Sequence, residues 1–212
     1  GMMGSPMARR LHQAGHTVHA WNRTQSKADP LAAVGIAVQA TVAEAVRQAD
    51  IVVSLLENGP AVEHVLFHAG AAQAMRPGTL FIDMASIQPR EARDHAARLG
   101  EMGLAHLDAP VSGGTVGAEN GTLAIMAGGR AEDFARAQPV FAALGRATHV
   151  GPHGSGQLAK LANQMIVGIT IGAVAEALLF AAKGGADMAK VREAIQGGFA
   201  DSRILQLHGQ RM

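Results

Sequence analysis

The 212-residue chain contains no cysteine and no tyrosine. Without cysteine there is no disulfide, no thiolate nucleophile and no Cys-ligated zinc site, a composition that agrees with the cytoplasm. Aromatic residues make up 3% of the sequence, too few for the stacking platforms that single-stranded nucleic acid needs. Charged residues are scarce at 17% and balance to a formal +1, which leaves no basic footprint for a nucleic-acid partner. Hydrophobic residues account for 48%, so one or two folded domains with a substantial core are expected.

Long apolar runs are also few. The opening MMGSPMARRL has no extended apolar region, so no signal peptide is expected there. Met165–Ala182 alone resembles a membrane span, yet it carries Glu176 and the small residues Gly168 and Gly172. A charge is costly at a bilayer centre, so the expectation is a buried helix of a soluble protein and no membrane partner. The histidines are scattered. His64 and His68 have an i, i+4 spacing, but Val65 stands where a zinc-protease motif needs Glu, and no metal site is expected.

What is present is alternation. Short apolar runs at Thr17–Trp21, Ile51–Leu56, Leu80–Met84, Ala105–Ala109, Leu123–Ala127 and Ala147–Val150 read as strands. Between them, Pro6–Gln13, Ser26–Val34, Val42–Gln48, Ala61–His68, Pro89–Leu99 and Ala131–Leu144 have helical periodicity. Strand–helix alternation of this kind predicts an α/β domain with a doubly wound parallel sheet of Rossmann type, over residues 1–151. After Gly151 no strand signal remains. Residues 152–212 read as an all-helical domain, with a helix running to Gly184-Gly185 and others at Met188–Ile195 and from Ser202.

Both ends read as cut. Gly1-Met2-Met3-Gly4 looks like the second half of a G-x-G-x-x-G fingerprint that lacks its strand and first glycine; Gly1 as a tag remnant is the alternative. A missing central strand would remove several buried side chains at about 1.5–3 kcal/mol each, so poor stability of this chain alone is expected. Gly1, Met2 and Met3 are candidate cofactor-binding residues, because Ser5-Pro6 opens a helix whose free N–H groups face a pyrophosphate. The TVHAW run ends in Asn22-Arg23-Thr24, where an NAD site usually has Asp or Glu for the ribose 2′-OH. An amide, a guanidinium and a hydroxyl suit a 2′-phosphate instead, favouring NADP over NAD; a solvated turn is the alternative. Leu55 and Leu56 end the next strand and line the expected cofactor side. Ser86 either hydrogen-bonds the nicotinamide or substrate, or caps the Pro89 helix.

The stretch DAPVSGGTVGAENGTLAIMAGG, Asp108–Gly129, sets a serine and paired glycines at a strand end. Consecutive N–H groups there form a concavity for a carboxylate; a plain glycine turn is the alternative. GPHGSGQLAKLANQ follows, with Lys160 and Asn163 on one helical face and Gln157 one turn earlier. A snorkelling surface lysine is the alternative reading for Lys160.

These motifs, with GMMGSPMARRL, WNRT and FIDMASIQP, resemble the β-hydroxyacid dehydrogenase family over the whole chain. The family includes 3-hydroxyisobutyrate dehydrogenase and tartronate semialdehyde reductase. The resemblance implies that Ser112, Gly113 and Gly114 hold a substrate carboxylate, that Lys160 is the general acid/base and that Asn163 orients the substrate or the lysine. It implies a short 3-hydroxy acid or its semialdehyde as partner, with residues 152–212 as the substrate domain. The Asn22-Arg23-Thr24 turn keeps NADP the expected cofactor and NAD the alternative. The Leu158–Ala182 helix, with more apolar surface than one small helical domain can cover, predicts a homodimer or higher homo-oligomer. The family's hydroxyl-rich S-T-I turn reads Ala85-Ser86-Ile87 here, with one hydroxyl kept. The resemblance also implies a later lysine–aspartate pair, and the sequence reaches Met212 before any such pair. The rival expectation is a dinucleotide-binding module without turnover. Phosphogluconate dehydrogenases would need a basic phosphate cluster that the sequence lacks, and imine reductases would not be expected to keep the lysine.

Overall fold

The computed structural model describes residues 1–210. It divides into two compact units, Gly1–Lys160 and Leu161–Met212. In the first, α1 (Gly4–Gln13) precedes the short strands β1 (His19–Ala20) and β2 (Ala37–Val38), which pair in parallel as a two-stranded sheet. The strand expected over Thr17–Trp21 thus shortens to two residues. The helix expected over Ser26–Val34 forms as two 3-10 turns, Gln25–Lys27 and Asp29–Val34, with Pro30 opening the second and Gly35 closing it at φ +86°. Only Ala28 and Leu31 are buried there, too small an apolar face to hold a longer helix.

A capping box starts α2 (Val42–Val46): Thr41 Oγ1 accepts from the Glu44 N–H and Glu44 Oε2 accepts from the Thr41 N–H. The crossover from β3 (Ile51–Ser54) to β4 (Leu80–Asp83) contains α3 (Gly59–Glu63), a π-helical turn at His64–His68 and α4 (Ala71–Ala74). The single helix expected at Ala61–His68 is therefore broken in two, and α4 was not foreseen. Then follow α5 (Pro89–Glu101), β5 (Ala105–Asp108), β6 (Val111–Ser112), α6 (Gly114–Asn120), β7 (Leu123–Gly129), α7 (Ala131–Leu144) and β8 (Gly145–Gly151).

The expected Rossmann-type α/β sheet is present, and only its strand directions need correcting, since it is mixed rather than wholly parallel. Its order is β3-β4-β5-β7-β6, with β8 on the other side of β7. β3, β4 and β5 run parallel, but β7 is antiparallel to β5 and β6. Residues 113–122 between β6 and β7 are fewer than the dozen or so that a parallel crossover needs, so the chain reverses. β6 continues the ladder of β5 past Pro110, whose carbonyl accepts from the Met126 N–H.

Both sheet faces are covered. Leu80 and Ile82 of β4, and Met84 just beyond it, pack with Met7 of α1 and Val140, Phe141 and Leu144 of α7. Phe81 points the other way, to Val62, Leu66, Ala92 and Leu99. Each large side chain so buried contributes about 1.5–3 kcal/mol. The period-two split places Leu107 in the first cluster, so His106 and Asp108 face the opposite side of β5.

The long helix α8 (Ser155–Lys183) starts in the first unit and continues into the second, which also holds α9 (Met188–Ile195) and α10 (Arg203–His208). The second unit has a small core of Val174, Leu178 and Leu205, with Val191 and Ile195 against it. The buried helix expected at Met165–Ala182 is instead largely exposed: Met165 is 67% exposed, Ile169 67% and Phe180 82%. By length and composition alone α8 could cross a membrane.

Candidate active site

β4 and β5 both end in aspartate, and their parallel register places Asp83 beside Asp108. Both are fully buried. Asp83 Oδ1 accepts from the Ala85 N–H at 3.0 Å, while its Oδ2 has no partner. Burial pushes the Asp83 carboxyl up to about 7; Asp108 and Glu91 reinforce the shift and the Ala85 amide opposes it. Asp108 accepts from the Gly154 N–H at 2.7 Å and the Gln157 N–H at 3.0 Å. It thereby takes up donors that the start of α8 would otherwise leave free. Burial also raises the Asp108 carboxyl, and these two amides pull it back. The approach is so close that a Cβ on Gly156 would strike the carbonyl oxygens of Asp108 and Met126.

One residue of this helix start reaches a second strand end. Gln157 is 1% exposed. Its Nε2 donates to the Ala85 carbonyl at 2.8 Å and its Oε1 accepts from the Ile87 N–H at 3.1 Å. Ser86 lies between those contacts with an exposed side chain. It does not cap the following helix, because the N-cap of α5 is Gln88, whose N–H donates to Glu91 Oε2 at 2.8 Å.

Lys160, three residues on, turns to a third strand end. Its Nζ donates to the Val111 carbonyl at 2.8 Å, immediately before Ser112. The lysine is half-buried, and burial lowers its pKa. It is therefore tethered rather than trailing over the surface. Gly113 and Gly114 follow at φ +138° and +62°, conformations that side-chain-bearing residues rarely adopt, and both are exposed. A Cβ on Gly113 would press within 3.1 Å of Leu123. The turn thus presents bare backbone next to the lysine anchor.

Asn163 follows one turn later on α8, half-buried, with an Oδ1 that is shielded from solvent and has no partner. At the other end of the chain, Gly1 and Met2 are exposed, and Met3 packs on the main core cluster as the N-cap of α1. Asn22 Nδ2 donates to the Thr24 carbonyl at 2.8 Å, which folds this turn on itself and leaves Arg23 and Thr24 exposed. Leu55 and Leu56 lie just beyond β3, packed on opposite core clusters. Among the described residues, neither Gly1–Met3 nor Asn22–Thr24 hydrogen-bonds to the Ser86, Ser112 or Lys160 groups.

The clamping role of Asp108 and the pairing of Asp83 with it were missed from sequence. The signal was two apolar strands each ending in Asp, FID and HLD. His106, Asp108 and His153 also bring one potential ligand atom each within 4.8 Å of one another. Both Asp108 oxygens are committed to amides, however, and Cβ atoms on Gly128 and Gly156 would come within 2.9 Å of them. That carboxylate is enclosed as a helix clamp. A cavity of about 290 Å³ lined by Asp50, Arg76 and Arg136 lies at the opposite, amino ends of β3 and β4.

A Rossmann-type sheet with polar groups gathered at its carboxyl ends, followed by a helical region, is the architecture of a dinucleotide-dependent enzyme. Residues 1–152 match the family model described as the NAD binding domain of 6-phosphogluconate dehydrogenase. Residues 154–212 match that described as the NAD-binding of NADP-dependent 3-hydroxyisobutyrate dehydrogenase. The chain is 46% identical to 2-hydroxy-3-oxopropionate reductase of Escherichia coli over 100% of its own length and 73% of that protein. It is 40% identical to 3-hydroxyisobutyrate dehydrogenase of Pseudomonas aeruginosa, with 98% and 70% covered. Among solved structures, it is similar to Mycobacterium tuberculosis 3-hydroxyisobutyrate dehydrogenase with L-serine, at TM-score 0.90 and 37% identity, covering 98% of this chain and 70% of that one. The chain belongs to the β-hydroxyacid dehydrogenase family of NAD(P)-dependent oxidoreductases, the family of 3-hydroxyisobutyrate dehydrogenase.

Proposed function

We propose that this chain carries the site of an NADP-preferring reductase of a short 3-oxo acid semialdehyde, acting in reverse on the 3-hydroxy acid. Tartronate semialdehyde is the first substrate in this reading, supported by the similarity to 2-hydroxy-3-oxopropionate reductase, and methylmalonate semialdehyde the second. The observation that carries it is the Lys160 Nζ held 2.8 Å from the Val111 carbonyl, against the Ser112–Gly114 turn.

In this reading the α1 start at Gly1–Met3 and the Asn22–Thr24 turn hold the cofactor, with Leu55, Leu56 and Ser86 along its path. Arg23 supplies a planar cation for a 2′-phosphate, and no carboxylate stands at residues 22–24 to repel it. When bound, the nicotinamide supplies or accepts the hydride. Ser112 and the exposed Gly113 and Gly114 amides hold the substrate carboxylate. Lys160 donates a proton to the aldehyde oxygen during reduction and removes the hydroxyl proton in the oxidative direction. Asn163, whose amide oxygen lacks a partner, orients the substrate. Burial has already moved the lysine toward the range where it can exchange protons, so reduction should fall with rising pH below the ordinary 10.5.

The exposed apolar side of α8 is assigned to a second copy of the chain. Glu176 lies exposed within it, and a Cβ on Gly168 or Gly172 would meet open space, which lets another helix approach closely. Light scattering should give a dimer or larger assembly.

The test is consumption of NADPH and of NADH by the purified chain with tartronate semialdehyde, alongside Lys160→Ala. Turnover favouring NADPH and a loss on the order of 10²–10⁴-fold in the variant, with NADPH affinity kept, is expected. Activity that survives Lys160→Ala would overturn the mechanism, and NADPH binding without turnover would favour the binding module.

A further inference from the structure

We propose that Gln157 is a positioning residue for the reaction, fixing the exposed Ser86 hydroxyl in register with the helix that carries Lys160. The inference rests on the reading of Ser86 and Lys160 given under Proposed function. Gln157 grips the chain on both sides of Ser86, with its Nε2 on the Ala85 carbonyl and its Oε1 on the Ile87 N–H. Holding one peptide before Ser86 and one after it removes the freedom of the intervening residue to swing. Ala85 and Ile87 are themselves buried, so Ser86 is an exposed side chain between two fixed points.

The grip is directional. The side chain must carry both a donor and an acceptor at its end, as an amide does at every pH and a carboxyl only when protonated. The Gln157 backbone is fixed in turn, its N–H donating to Asp108 Oδ2 at 3.0 Å. Lys160 lies three residues on, along the same helix face. One turn of helix therefore spans the ends of β4, β5 and β6, through Ala85 and Ile87, Asp108, and Val111 respectively. A ligand held by Ser86 would be set against the Lys160 ammonium by a rigid element. Misplacement of about 1 Å in such a constellation costs on the order of 100-fold in rate.

A double-mutant cycle tests the assignment, using the purified chain, NADPH and tartronate semialdehyde. Gln157→Met keeps the volume but removes the donor and acceptor, and Ser86→Ala removes the hydroxyl. Each should lower kcat by on the order of 10- to 100-fold, and the double variant should be no worse than the poorer single one. Gln157→Glu supplies the readout that a merely structural role would not move. It keeps the acceptor for Ile87, and only its protonated form can donate to Ala85, so its kcat relative to wild type should recover as pH falls. Hydrogen exchange of the Ile87 amide should accelerate in Gln157→Met. Losses that multiply in the double variant, or a Gln157→Met enzyme with wild-type kcat, would overturn the proposal. If Gln157→Met does not fold, a Gln157→Glu enzyme with no pH-dependent recovery overturns it equally. A wild-type chain without turnover would instead defeat the functional reading on which the proposal rests.

Discussion

The first two turns of α8 and the twenty residues that follow them share one helix and little else. The first turns are polar in part, yet Gln157 is buried and held by three hydrogen bonds, and Lys160 by one. The later turns are mostly apolar, yet Met165, Ile166 and Ile169 are each about two-thirds exposed. Burial here follows the placement of hydrogen-bonding partners rather than hydropathy. Three strand ends offer carbonyls, amides and a carboxylate to the helix start, and a polar side chain with matched partners is buried at little net cost.

The contrast can be broken first through pH. Asp83 has a folded-state pKa of about 7 against an ordinary 3.8. The native chain therefore holds this proton more tightly than the unfolded one. The cost of ionising Asp83 is absent below about pH 3.8, grows as pH rises and is complete above about pH 7, with an upper limit on the order of 4 kcal/mol. His106 works in the opposite direction: burial lowers it from 6.5 to about 3, so its cost grows as pH falls between those values. Urea midpoints should show Asp83→Asn more stable than wild type at pH 8 and close to it at pH 4. Equal gains at both pH values would remove Asp83 as the source of the slope.

A smaller effect is expected at the clamp itself. Asp108→Asn leaves one of the Gly154 and Gln157 amides facing an amide donor, and should cost about 1–3 kcal/mol of stability in a denaturant melt. An unchanged melt would mean that α8 does not depend on this carboxylate for its start. Smallest of all, Ile169→Lys on the exposed stretch should change the stability of the isolated chain by no more than about 0.5 kcal/mol. The same change should dissociate the proposed dimer in light scattering. A large loss of chain stability would show that Ile169 is packed within the chain, and the contrast along α8 would fail.

Much of the α/β alternation was legible because periodicities of 2 and 3.6 reflect faces that must be buried. Leu80–Asp83, Ala105–Asp108 and Leu123–Gly129 stand close to where their apolar runs place them. The weaker segments were not legible. Ser26–Val34 lacked the apolar face to become an α-helix, and α4 has only four residues. The direction of β7 depends on the shortness of the 113–122 connection, which strand propensity does not register. At the site, motif spacing set Lys160 on a helix and Ser112 at a strand end. That Lys160 meets Val111, while Gln157 rather than Ser86 makes the fixed contacts of the 85–87 turn, depends on which strand ends converge.

By itself the sequence determined the element types of the sheet's central strands, the glycine turn at residues 113–114 and the placement of Lys160 on a helix. These are local properties, set by side-chain chemistry and by the φ angles that only glycine adopts freely. The tertiary structure alone decided that Asp83 would stand beside Asp108 and take a raised pKa. It also decided that one helix turn would bridge three strand ends, and that the most apolar stretch of the chain would stay exposed. Those outcomes depend on desolvation and on partners distant in sequence, such as Gln157 and Ala85 at a separation of 72 positions, and no local pattern encodes them.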